Sequence, residues 1–109
     1  MTAPPGARIV VFAPDLMDRS KITAVAPDAV VVRQAGDLAE HAHRGVTVVV
    51  DLSRPGVLDV LAAVAATGSR VIGFGSHVER DTLAAARSAG CSEVLARSAF
   101  FGRLPELLA

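Results

Sequence analysis

An α/β fold in which one parallel sheet is covered by helices on both faces is predicted by three observations. Five short apolar runs rich in β-branched residues recur along the chain. The segments between them carry helical periodicity, and the two kinds of segment alternate strictly.

The first strand is Arg8 to Phe12. A helix from Asp15 to Val25 follows, with Leu16, Ile22 and Val25 on one side, and it stops before Pro27, whose ring disfavours helical backbone in the residue preceding it. Ala29 to Arg33 is the second strand, and Gly36 to His43 is a short second helix. Val46 to Asp51 is the third strand, apolar along its length until it stops at a carboxylate followed by Pro55 and Gly56, the pattern of a parallel strand buried on both faces. Val57 to Ala66 and Glu79 to Ala89 are alanine-rich helices of high intrinsic propensity. Each is closed by a glycine, Gly68 or Gly90, able to take the left-handed conformation that ends helices. Arg70 to Phe74 and Glu93 to Ala96 are the fourth and fifth strands. Phe100 to Leu108 is the last helix, with Pro105 either in its first turn or kinking it. Right-handed crossovers leave few topologies for five such strands, and the favoured one is a flavodoxin-like doubly wound sheet with strand order 2-1-3-4-5.

Composition narrows the function classes. A chain of 109 residues with 51% hydrophobic content is long enough to bury about two-thirds of its unfolded surface in one core. Residues 8–109 are read as that single domain and residues 1–7 as a disordered N-terminal segment. With 11 basic and 11 acidic residues the net charge is zero, so no broad basic field favours nucleic acid or anionic lipid. No apolar run approaches the roughly 18 residues of a membrane span, and the Pro- and Gly-bearing N-terminus does not read as a signal peptide. A cytoplasmic location follows as the expectation, and the lone Cys91 suits it as a buried small hydrophobe. His41 and His43 stand two apart, a spacing that does not bring both onto one helical face for a metal, and are read as solvated.

In open α/β sheets ligands and chemistry gather at the carboxyl ends of the strands. That rim is predicted to hold Asp15 after strand one, Asp51 and Ser53 after strand three, Gly75, Ser76 and His77 after strand four, and Arg97 with Ser98 after strand five. Gly73-Phe-Gly75-Ser76 also admits reading as a loop whose backbone N–H groups approach an anion.

DLSRPG at residues 51–56, VIGFGSH at 71–77 and AGCSEVLARSAF at 89–100 resemble, in combined spacing, the receiver domain of two-component response regulators. The resemblance runs from Arg8 to Leu108 and implies that Asp51 occupies the phospho-acceptor position. It also marks departures. The acidic pair that holds magnesium after strand one is replaced by Ala13 and Pro14, with only Asp15 following. The family's strand-four hydroxyl aligns with Gly75 or, after a one-residue slip, Ser76. Its strand-five aromatic aligns with Val94, its lysine with Arg97 and its proline with Ser98.

The chain is therefore read as a divergent pseudo-receiver, a stand-alone and non-enzymatic interaction module in signalling that needs no cofactor. For Asp51 two inert roles are weighed: a strand-end carboxylate bridging to nearby backbone, and a constitutive ion pair with Arg97, whose guanidinium grips a carboxylate through parallel hydrogen bonds. The partner is another signalling protein or a second copy, engaged as in receivers through the fourth helix, fifth strand and last helix, with Arg80, Arg87, Phe101 and Arg103 as contacts. Of the adjacent Phe100 and Phe101, one must face outward. Two alternatives are carried: a phospho-acceptor using Asp51 with magnesium recruited through Asp15, and a small anion or nucleotide sensor at Gly75 to His77.

Overall fold

The structure is a computed structural model that describes residues 8–109, so the separate segment assigned to residues 1–7 lies outside the described residues. Five parallel strands form one sheet in the order β2-β1-β3-β4-β5: β1 Ile9–Phe12, β2 Val30–Val31, β3 Thr47–Asp51, β4 Arg70–Gly75 and β5 Glu93–Ala96. The helices are α1 Leu16–Val25, α2 Leu38–His41, α3 Val57–Ala66, α4 Arg80–Ser88, α5 Arg97–Gly102 and α6 Leu104–Leu107. The doubly wound architecture and its strand order are those the alternation predicts.

The two-residue side-chain period of a strand sorts the core into two layers. Val10, Phe12, Val48, Val50 and Val71 pack beneath Leu38 of α2, Val57, Leu61 and Val64 of α3, and Leu83 and Ala86 of α4. Val11, Val49, Ile72 and Phe74 point the other way, against Ile22 of α1, Phe100 of α5, and Leu104 and Leu107 of α6. Central strands buried on both faces explain why β3 shows an unbroken apolar run rather than alternation. Gly68 and Gly90 take positive φ of 85° and 109°, as their positions after α3 and α4 require. Cys91 packs half-buried against the core, and burial pushes its thiol pKa up, away from reactivity.

Three local expectations are corrected. The segment assigned as one helix from Gly36 to His43 is a 3₁₀ turn, Ala35–Asp37, running into the single turn of α2. The inward face of α1 is Asp18 and Ile22, four residues apart, while Leu16 is 65% exposed and Val25 lies near the surface. The last helix starts at Arg97, directly off β5, and breaks at Arg103 before resuming as α6. Pro105 supplies the reason: it lacks the N–H that would extend the α5 ladder, and it sits instead in the first turn of α6, where that N–H is not needed.

Candidate functional site

The carboxyl ends of β1, β3, β4 and β5 bring Asp15, Asp51, Ser76 and Arg97 to one rim. Asp51 closes β3 in register with Phe74 of β4, and it is only 1% exposed. Its Oδ1 accepts hydrogen bonds from the Ser53 backbone N–H at 2.9 Å and from the Ser53 hydroxyl at 2.7 Å. Its Oδ2 meets Nε of Arg54 at 3.4 Å. The carboxylate thus bridges to the chain just beyond it, an Asx turn with a charged partner, which is the strand-end role weighed from the sequence.

Arg97 does not pair with Asp51, and this corrects the predicted rim ion pair. Its Nη2 donates to Oδ1 of Asp18 at 2.5 Å, across 79 positions of sequence. The start of α5 at Arg97 accounts for the change: the side chain leaves from a first helical turn rather than from a strand end, on the face of the sheet that carries α1. Its guanidinium then lies over the rings of Phe74 and Phe101, with centroids 5.5 and 5.4 Å away. The hydrogen bond to Asp18 raises the Arg97 pKa still further, with smaller Coulombic pulls from Asp18, Asp51 and Asp15. Asp18 is 3% exposed, a carboxylate that needs such a partner.

Asp15 is exposed and caps α1, its Oδ1 accepting from the Asp18 backbone N–H at 3.0 Å. That hydrogen bond holds its pKa below the ordinary 3.8. A carboxyl with a depressed folded-state pKa stabilises the fold fully above its unfolded value and loses that contribution as pH falls through the lower folded value. In an acid titration followed by circular dichroism, Asp15→Asn, which retains a capping oxygen, is expected to lose the part of the acid sensitivity that falls below pH 3.8. An unaltered acid profile would show that the cap charge contributes nothing.

The remaining rim residues separate. Gly75 is buried, Ser76 accepts from the Val78 N–H at 3.4 Å through its hydroxyl oxygen, and His77 faces solvent. His41 and His43 are likewise exposed. Phe101 is not the outward contact the sequence suggested. It is half-buried, edge-on to Phe74 at 5.4 Å and to Phe100 at 4.9 Å, with Nζ of Lys21 5.1 Å from its centroid. Sequence reasoning missed Asp18 altogether. The one signal present was spacing, an acid four residues before Ile22, which puts both on the same face of a helix.

The donor set does not fit magnesium. Asp15 is committed to the α1 cap, Asp51 to Ser53 and Arg54, and Asp18 to Arg97. Among the described residues no group of three or more His, Cys, Asp or Glu side chains is placed to hold a metal.

No protein-family model matches the sequence, and no curated protein matches it. Solved structures do match. A response regulator receiver domain from Rhodospirillum rubrum is 16% identical, with a TM-score of 0.68 over 91% of this chain and 89% of that one. A response regulator from Thermotoga maritima is 12% identical, with a TM-score of 0.70 over 92% of each chain. A pilus assembly-related protein from Burkholderia pseudomallei is 13% identical, with a TM-score of 0.66 over 99% of this chain and 92% of that one. The chain shares the receiver fold, a five-stranded parallel sheet in the order 2-1-3-4-5 with helices on both faces.

Proposed function

We propose that this receiver-fold domain is a phosphorylation-independent interaction module in cytoplasmic signal transduction, with no catalytic chemistry and no metal cofactor of its own. The observation that carries the reading is the pairing of the rim charges among themselves. Arg97 is held by Asp18 and two aromatic faces, while both oxygens of Asp51 are engaged by Ser53 and Arg54. A phospho-acceptor needs a carboxylate oxygen whose nucleophilicity is not lowered by hydrogen bonds, a metal to neutralise the incoming phosphoryl group, and a cation able to reach the product. Here each candidate group has another partner. The residues after β1 support the same reading, because Ala13 is buried and Pro14 carries no acid.

The surface proposed for another signalling protein, or for a second copy, is that of α4, β5 and α5. Arg80, Arg87 and Arg103 are exposed there, and Arg103 makes a surface pair with Glu106 at 3.5 Å. Phe101 leaves the contact set because it is packed beneath Lys21 and Arg97. The zero net charge gives no support to nucleic acid or membrane as the partner.

The test is incubation with acetyl phosphate and magnesium, followed by intact mass. The expected spectrum is unchanged. A phosphate adduct formed by the parent and missing from Asp51→Asn would replace this reading with that of a phospho-accepting regulator.

A further inference from the structure

Opposite the aromatic face, β4 ends in two glycines that share the α3 and α4 side of the sheet. A Cβ at Gly73 would come within 2.9 Å of Leu52 Cδ1, and one at Gly75 would come 3.3 Å from Leu83 Cδ2. Leu52 and Leu83 therefore close over this backbone, and both glycines are buried. Beside Gly75 lies a cavity of about 150 Å³ lined by Leu52, Ser53, Gly75, Ser76, Glu79 and Thr82. At about 30 Å³ per water-sized group, it takes a ligand of about five heavy atoms.

The lining offers hydroxyls that both donate and accept, and a single full charge, the carboxylate of Glu79. Ser53 has spent its hydroxyl proton on Asp51 and turns only lone pairs elsewhere. The Glu79 carboxylate offers acceptors alone and has no ion-pair partner among the described residues. The N-terminus of α4 contributes about half a positive charge close by, and the full negative charge of Glu79 outweighs it. A cavity lined by both apolar Leu52 and the exposed, charged Glu79 fits an alkyl body ending in a strong donor.

We propose that this cavity binds a small primary ammonium compound, its alkyl part against Leu52 and its ammonium on Glu79 and the neighbouring hydroxyl oxygens. The charge is opposite to that of the anion or nucleotide considered for Gly75 to His77, and His77 does not line the cavity. This inference goes beyond the interaction reading and does not depend on it.

The experiment is titration of the ¹⁵N-labelled chain with n-butylammonium chloride. Sodium chloride at matched ionic strength, sodium acetate and inorganic phosphate are the comparison arms. Saturable amide shifts at Ser53, Gly75, Ser76 and Thr82 are expected with n-butylammonium only. Glu79 is exposed, so Glu79→Gln retains the fold, and it should weaken binding about tenfold or more through loss of the charged partner. Thr82→Val, which removes a hydroxyl at constant shape, should weaken it less. Absence of saturable shifts, the same shifts with sodium chloride, acetate or phosphate, or unchanged affinity in Glu79→Gln would each overturn the assignment.

Discussion

Arg97→Ala is expected to lower the free energy of unfolding by about 2 kcal/mol. The reason is what it leaves behind: the carboxyl of Asp18, 3% exposed, would lose the guanidinium that donates to it. Removing one member of a fully buried pair costs about 3–5 kcal/mol, but Arg97 is itself 41% exposed, so water reaches the vacated carboxylate and the lower figure applies. Arg97→Lys should fall between, keeping the charge while losing the planar group over Phe74 and Phe101. A double-mutant cycle in urea settles which acid is the partner. Coupling of about 1 kcal/mol or more is expected between Arg97→Ala and Asp18→Asn, and less than about 0.5 kcal/mol between Arg97→Ala and Asp51→Asn. The reverse order would restore the Asp51–Arg97 pair and remove the main support for an inert rim.

Phe74→Ala is expected to be the more damaging substitution, at about 4 kcal/mol. Phe74 is fully buried near the carboxyl end of β4 and stacks on Phe100 with centroids 4.5 Å apart and planes 7° apart. It also meets Phe101 edge-on and lies under Arg97. Truncation removes the transfer free energy of the ring, opens a cavity that the sheet cannot close, and takes away the aromatic contacts, worth about 1 kcal/mol beyond area. Phe101→Ala, at a half-buried position, should cost less than half as much, since its site opens toward solvent. Equilibrium unfolding of both variants reads the difference directly. A Phe74→Ala midpoint close to that of Phe101→Ala would show that the aromatic trio is not organised around Phe74. Because the ring supports both the core and the Arg97 guanidinium, stability and rim order are expected to fall together.

The two predictions meet at a place only partly visible in the linear chain. The position of Asp51 was legible, because an apolar run ending in a carboxylate must bury its middle and deliver its end to the sheet rim. Its engagement by Ser53 was legible too, since a side chain bonding two residues ahead is a local matter. The partner of Arg97 was not. Three carboxylates, Asp15, Asp18 and Asp51, act on that guanidinium, and a long flexible side chain selects among them by small differences in reach. Those differences depended on two details of packing. One was the face that α1 turns inward, which Leu16 and Val25 misrepresented by being apolar yet exposed. The other was the residue at which β5 gives way to α5.

Local patterns in the chain are enough to dictate the alternation of elements, the order of the sheet, the glycine-ended helices and the placement of one acid at the rim. The alternation, the helix-ending glycines and the placed acid follow from backbone preference and side-chain period, which act over a few neighbouring residues. The sheet order follows from the handedness of the crossovers. Packing between distant elements decided that Asp18 neutralises Arg97, that Phe101 lies beneath two cations, and that a cavity opens between the end of β4 and Glu79. Those contacts join residues far apart in the chain, and their free energies are set by burial and distance, which exist only once the layers have packed.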